Sequence, residues 1–398
     1  MKWKMLFKFG ITVIVLIAIY LYFALKSEDG GLNISESDTG VDSQIENEVS
    51  VKDKGDNDVN KNSKQALKTE NGRSETENIR KTKRWLDAVH LSVVACGDRG
   101  EESIVMFKSA VLLSRKPLVF HIFADLPLQS YFKRQLDFWP DEFRNKIVYY
   151  HIYNITFPSE NTEEWKKLFK PCASQRLFIP SILTDVNSLI YVDTDMLFLR
   201  PLEDLWSFFS LFNSTQLAAL APEHEDTATG WYNRFARHPY YGLLGVNSGV
   251  MLMNLTRLRS SEWLQSMLAY YKEYRYKITW GDQDLINIYF HYHPDELYVY
   301  NCDWNYRPDH CMYMSVCKEA EKNGVSVLHG CRRVWHNDKQ PAFKAIYTAF
   351  KEHRLGDDLE YSLLKNMDHN LVKAVNTPCG KLKKILLKKI SSVIKEVS

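Results

Sequence analysis

From Leu91 onward the chain alternates short apolar runs with segments of helical periodicity, and few architectures accept that order. Leu91–Ala95 (LSVVA) reads as a buried strand ending at Cys96-Gly97. Glu101–Ser114 reads as a helix, and Pro117–Ala124 (PLVFHIFA) as a second strand stopped by Asp125. Leu128–Trp139 is helix-like and Lys146–Tyr153 (KIVYYHIY) strand-like; Cys172–Leu183 (CASQRLFIPSIL) reads as a helix that delivers the chain into a further strand, Leu189–Val192. The alternation predicts an α/β fold, a mostly parallel twisted sheet with helices on both faces. Ligands of such sheets bind beyond the carboxyl ends of the strands, so the ends of Leu91–Ala95 and Leu189–Val192 mark the candidate site.

The strand Leu189–Val192 runs directly into Asp193-Thr194-Asp195. If the backbone stays extended, both carboxylates point to one face. Two like charges side by side raise each other's pKa unless a cation sits between them. Val325–Gly330 (VSVLHG) is another apolar strand that ends in a possible ligand, His329. Two carboxylates and an imidazole form a mixed oxygen/nitrogen set suited to Mn²⁺ or a similar divalent ion, with positions left for phosphate oxygens. A structural histidine and an ordinary loop D-x-D are the competing readings.

The remaining sequence bounds where such a site would work. Of the 398 residues, Phe9–Leu25 form an uncharged apolar run preceded by Lys2, Lys4 and Lys8, which reads as a short signal-anchor with residues 1–8 in the cytosol and the rest lumenal. A cleaved signal peptide is the rival, but no small-x-small cleavage site follows. Residues 26–84 are polar and free of aromatics and cysteine, as in a flexible stem. The folded domain is expected over 85–380, and the lysine-rich tail 381–398 is expected to be a solvated end, with an amphipathic membrane helix as the alternative. Sequons at Asn33, Asn154, Asn213 and Asn254 fit a lumenal route. The seven cysteines all lie from Cys96 onward; disulfides with one thiol left over are the expected reading, a zinc site the rival, and the spacing contains no C-x2-C pair. A net charge of +2 provides no broad basic excess, which argues against nucleic acid as a partner.

Four motifs in order, YVDTDMLFLRPLEDLW (191–206), GVNSGVMLMN (245–254), WGDQDLIN (280–287) and VLHG (327–330), resemble glycosyltransferase family 8, and within it the chain is most similar to the glucoside xylosyltransferases. The resemblance implies a GT-A nucleotide-sugar fold. It implies Asp193, Asp195 and His329 as metal ligands, with Asp193 and Thr194 also near the donor. It implies Asn247 and Ser248 lining the donor sugar, Asp282 and Gln283 beside the transferred sugar, and Arg176 approaching the donor phosphates; apart from the resemblance, the NSG run reads as a strand entered through a turn, GDQD as a helix N-terminus, and Arg176 as an ordinary surface arginine on an amphipathic helix. Ala95, Cys96 and Gly97 would meet the uracil, and Gly330 would follow the metal histidine. Many members continue from that histidine to Lys-Pro-Trp; here the run is HGCRRVWHNDKQPAF, so Arg332, Arg333 or Lys339 would supply the cation, with Lys339 favoured.

The resemblance further implies Mn²⁺-assisted transfer of xylose from UDP-xylose, with retention, in α-1,3 linkage to glucose O-linked on EGF-like repeats such as those of Notch. Gln283 is a poor nucleophile, which favours front-face transfer over a covalent intermediate, and the loop His224–Gly242 (HEDTATGWYNRFARHPYYG) reads either as an acceptor wall through Trp231 and Tyr232 or as aromatic packing beneath a long loop. Whether Asp282 or Asp284 does more is open. Another UDP-sugar as donor, a metal-dependent phosphohydrolase or nucleotidyltransferase, and a catalytically silent glycan-binding protein are the alternatives.

Overall fold

The structure is a computed structural model that describes residues 83–158, 162–168 and 172–397. The expected anchor Phe9–Leu25, nearly all of the expected stem and Asn33 lie outside the described residues. Among the described residues no helix is long and apolar enough to cross a membrane.

Seven strands form one sheet: β1 (Val89–Ala95), β2 (Leu118–Ala124), β3 (Ile147–Asn154), β4 (Ser188–Val192), β6 (Ala218–Pro222), β7 (Val246–Asn254) and β8 (Leu297–Val299), in the order β3-β2-β1-β4-β7-β6-β8. The pairs β3-β2, β2-β1, β1-β4 and β6-β8 are parallel. The run read as 245–254 becomes β7, which lies antiparallel to both β4 and β6. A small second sheet pairs β5 (Met196–Phe198) with β9 (Val327–His329) in antiparallel register. The sequence-read helices and strands before residue 160 all form, their ends displaced by at most two residues, including α1 (Gly100–Leu113) and α2 (Leu126–Asp137), the latter capped by Asp125.

Both faces of the sheet are covered, and residue alternation along the strands shows it. Leu91, Val93 and Ala95 of β1 and Ile190 and Val192 of β4 pack into one apolar cluster with α1. Val94, Leu189, Tyr191, Met251 and Met253 pack into the other, with α3 (Trp263–Tyr274) and α4 (Asp282–Tyr292). Side chains of period two on a doubly covered sheet must be apolar on both faces, which is why these strands read as continuous apolar runs.

Two expectations are corrected. Cys172–Leu183 is not one α-helix: a 3₁₀ helix, Ala173–Phe178, precedes a single turn, Ile179–Ile182, and Pro180 supplies no backbone N–H for a longer ladder. The tail is not a solvated end either. Lys383–Val397 forms α6, following α5 (Pro341–Glu352), and Leu386, Ile390 and Ile394 on one stripe of it are fully buried in the α1-side core. The lysines occupy the other stripe and hide that pattern from a reading by composition.

The cysteines form three disulfides, Cys96–Cys172, Cys302–Cys317 and Cys311–Cys379, and Cys331 is the thiol left over. The third ties the segment before α6 to the loop after β8. The first joins the carboxyl end of β1 to the 3₁₀ helix that carries Arg176.

Candidate active site

Asp193 and Asp195 converge, but not through strand alternation. The backbone leaves β4 at Val192 and turns through Asp193-Thr194-Asp195 into β5. β7 sets the turn in place: running against β4, it brings Gly249 alongside, and Asp193 N–H donates to Gly249 O at 2.8 Å. On the other side Met196 pairs with His329, and Gly330 N–H donates to Asp195 O at 2.7 Å. His329 Nε2 then lies 3.4 Å from Asp195 Oδ1 and 3.9 Å from Asp193 Oδ2. One ligand atom from each of the three residues falls within 4.8 Å of the others. Glycine is required at 249, where a Cβ would stand 2.5 Å from the His329 ring.

The imidazole is held with its free nitrogen toward the carboxylates. Gly249 N–H donates to Asn247 Oδ1 at 3.0 Å, so that atom is the amide oxygen, and Asn305 Nδ2 donates to it at 2.8 Å. Asn305 therefore presents its oxygen to His329 Nδ1, 2.8 Å away, and Nδ1 must carry the proton. Nε2 is left with a lone pair facing two carboxylate oxygens. Such a set fits a divalent cation with oxygen and nitrogen ligands. Sequence reasoning missed Asn305, which stands 24 residues from its partner and in no recognised motif.

Arg176, which the sequence allowed as a surface residue, is instead 5% exposed and central. Its Nη2 lies 2.6 Å from Asp193 Oδ1, its Nε 2.7 Å from Asp282 Oδ2, and its Nη1 donates to Ser248 O at 2.6 Å. The guanidinium stacks over Tyr191 at 4.3 Å. Burial disfavours its charge, but Asp193 and Asp282 outweigh that and hold its pKa above the ordinary value. Asp193 is thus split, one oxygen toward Arg176 and the other toward His329. Burial pushes the Asp282 carboxyl up to about 6 against the pull of Arg176.

Asp282 and Asp284, left open by the sequence, separate cleanly. Asp282 faces Arg176. Asp284 turns the other way, its Oδ2 accepting the Thr279 and Trp280 N–H groups at 2.6 and 2.8 Å and lying 3.3 Å from His238 Nε2. Gln283 between them is half-buried at the start of α4, and its Oε1 accepts from Ser248 N–H at 3.1 Å. Tyr232, read as an exposed wall residue, is 1% exposed: its hydroxyl reaches Asp284 and Gln283 beneath the loop. Trp231 remains half-exposed, edge to face with Trp280 at 5.6 Å.

The other sequence candidates fall as follows. Ala95 is buried at the end of β1, Cys96 is disulfide-bonded, and Gly97, at φ +66°, donates its N–H to Asp125 Oδ2 at 2.8 Å. Thr194 Oγ1 bonds Glu102 Oε2 at 3.2 Å, and the same oxygen receives Arg99 Nη1 at 2.7 Å. Burial disfavours the Arg99 charge, but Glu102, with a smaller contribution from Asp195, outweighs it and holds the pKa up, so a cation that sequence reasoning did not single out stands near the carboxylates. Of the three named cations, Arg332 is paired with Asp309 and Arg333 with Asp98, at 2.8 and 2.6 Å. Lys339 is exposed ahead of α5. Asn154 and Asn213 are exposed, whereas the Asn254 side chain caps a short helix through Arg257 N–H at 3.1 Å.

The chain is 55% identical over 323 residues to glucoside xylosyltransferase 1 of Gallus gallus, covering 78% of this chain and 74% of that one. It is 54% identical over 322 residues to glucoside xylosyltransferase 1 of Homo sapiens, covering 78% and 72%. The crystal structure of the galactosyltransferase LgtC with donor and acceptor sugar analogues shares the fold, with a TM-score of 0.53, 16% identity, and coverage of 69% of this chain and 99% of that one. Residues 90–338 match glycosyl transferase family 8, and the chain belongs to that family.

Proposed function

We propose that the chain transfers xylose from UDP-xylose, with retention, to the 3-position of glucose O-linked on EGF-like repeats, assisted by Mn²⁺ or another divalent ion. The observation that carries this reading is the placement of Arg176. One guanidinium bridges Asp193, which belongs to the metal triad, and Asp282, which stands next to Gln283. A donor laid across that bridge would put its diphosphate at one end and its sugar at the other. The names of the relatives supply the donor and acceptor classes.

Asp193, Asp195 and His329 would hold the ion, whose charge would offset the negative charge developing on the departing β-phosphate. Ala95, Cys96 and Gly97 would border the uracil, and Asn247, Ser248 and Gly330 the ribose and sugar. Gln283 would lie under the anomeric carbon. An amide there stabilises positive charge through its oxygen without forming a durable bond, and the carboxylate of Asp282 is engaged by Arg176. Front-face transfer, with the leaving phosphate accepting the acceptor's proton, suits that arrangement. Lys339 is the favoured cation for the diphosphate. The three disulfides suit an oxidising lumen, as do the sequons. With Phe9–Leu25 as anchor and residues 26–84 as stem, the enzyme would be a single-pass type II protein of the ER or Golgi.

The test is the full chain with Mn²⁺, a panel of UDP-sugars and an O-glucosylated EGF repeat, read by intact mass. One pentose gained from UDP-xylose alone, and lost on chelation, is the expected result. A hexose gain would replace the donor and keep the family.

A further inference from the structure

The geometry points to Tyr232 as a positioning residue that sets which way the Gln283 amide faces, and so ties the acceptor-side loop to the reacting centre. The inference rests on the reading above that Gln283 lies beside the transferred sugar, and on the expectation from the sequence that the loop His224–Gly242 faces the acceptor.

Donors and acceptors from four residues meet around one buried phenol. Ser248 N–H is an unambiguous donor, and it lies 3.1 Å from one end of the Gln283 amide; Ser248 Oγ lies 3.4 Å from the same atom. That end is therefore Oε1, and the NH₂ end points at the Tyr232 hydroxyl, 3.2 Å away. The phenol has one hydrogen. Asp284 Oδ1, at 2.8 Å, is where it goes, because an ionised carboxylate can only accept. The phenol oxygen is then free to accept two hydrogens. It receives them from Gln283 Nε2 and from Asn287 Nδ2 at 3.0 Å. Asn287 cannot turn round, because its Oδ1 accepts Val246 N–H at 2.8 Å while its Nδ2 also faces Val246 O at 2.8 Å. Asn287 Nδ2 also lies 2.9 Å from Gln283 O, so its two hydrogens are shared among three acceptors, but its oxygen end is fixed by Val246 N–H, and the Ser248 and Tyr232 contacts both turn the Gln283 oxygen toward Ser248.

The loop is built to hold that phenol. Gly245, at φ +70°, closes the loop, and a Cβ there would stand 2.4 Å from the Tyr232 ring. The Asp284 carboxylate is anchored in turn by two backbone N–H groups and by His238 from the same loop as Tyr232. The neighbouring Trp231, half-exposed against Trp280, puts an apolar surface on the acceptor side of the same short helix, Trp231–Phe235. An acceptor that docks on Trp231 thereby presses on the element that orients Gln283.

Removing the hydroxyl takes away the partner of the NH₂ end and leaves the amide held by Ser248 alone, so that it can swing away from the developing positive charge. The test measures xylose transfer by the full chain as wild type, Y232F, Q283A and Y232F/Q283A. Y232F is expected to lower kcat about 10- to 100-fold, the order of loss that misplacement by an ångström brings, with the KM for UDP-xylose within about twofold. In the Q283A background the same substitution is expected to cost nothing further, because there is no amide left to orient. A Y232F enzyme with wild-type kcat overturns the inference. So does a double variant that loses the product of the two single factors, since that is how a general structural role would behave. Q283A with undiminished kcat strikes the assignment of Gln283 itself, which is a different failure. If Y232F proves too unstable to assay, D284N takes its place. Its amide can donate to the phenol and release the phenol's hydrogen toward Gln283, so the same kcat loss, absent in the Q283A background, is expected; an unchanged kcat in D284N overturns the inference.

Discussion

Replacing Arg176 with methionine should unbalance the whole site, and the cost can be worked from its partners. Methionine occupies much of the same volume but leaves Asp282, 2% exposed, with no cation beside it. It also abandons Asp193 Oδ1 and Ser248 O. Breaking a buried ion pair from one side costs about 3–5 kcal/mol, because the remaining charge stays buried without compensation. In a domain of this size that lowers the melting temperature by roughly 5–8 °C. The pH dependence identifies the cause. Burial already places the Asp282 pKa at about 6, above its unfolded value, and Arg176 is the cation that restrains it. Without Arg176 it rises further. A carboxyl with a raised folded pKa takes up a proton on folding, so its burden on stability is greatest above that pKa and is relieved as pH falls toward the unfolded value. The R176M deficit relative to wild type should therefore shrink between pH 7.5 and pH 5.5. At pH 7.5 the R176M/D282N variant should recover about half of the loss. Calorimetric melts of wild type, R176M, D282N and the double variant decide the matter. A deficit equal at both pH values, or a double variant that melts no higher than R176M, would refute the claim that the stranded carboxylate is what costs.

Other perturbations follow from the same contacts. N305A should weaken Mn²⁺ binding about 10- to 100-fold by titration calorimetry although no ligand is lost, because His329 is no longer held with Nε2 free. Removing the Cys96–Cys172 disulfide, which spans 76 residues, should cost about 4 kcal/mol in urea titrations and raise the KM for UDP-xylose by loosening the Arg176 helix. His90 and His121 face each other at 3.0 Å, and burial lowers their pKa values to about 4 and about 3. Groups depressed in this way stabilise the fold fully above the unfolded pKa near 6.5 and lose that contribution as pH falls through it. This pair alone should contribute about 4 kcal/mol less at pH 5 than at pH 7, and H121F should flatten the acid limb relative to wild type.

The sheet and the metal triad were legible because their signals are local. An apolar run ended by a carboxylate or an imidazole puts a strand and its functional residue in one window, so Asp193, Asp195 and His329 could be picked out before any fold was known. Strand direction has no such signal. A run buried on both faces looks the same whether parallel or antiparallel, and β7 was therefore not recognised as the reversed strand. The reversal matters, because it lays Gly249 against Asp193 and puts Asn247 and Ser248 within reach of Asn305, Arg176 and Gln283. The residues the sequence misjudged share a different trait. Tyr232 meets Gln283 across 51 positions, and Asn305 meets His329 across 24. Neither pair falls in a common motif, and an aromatic in a polar loop reads as exposed until its partners are known. Arg176 shows the same ambiguity resolved: spacing alone allowed a surface arginine as well as a donor-site one, and three oxygens from three separate segments make it the centre. A site of this kind is therefore written in the sequence twice, once as strand-end ligands that a motif reveals, and once as distant polar residues whose roles exist only when the reversed strand brings them together. Substitutions in the second group should pass unnoticed by motif and still remove turnover.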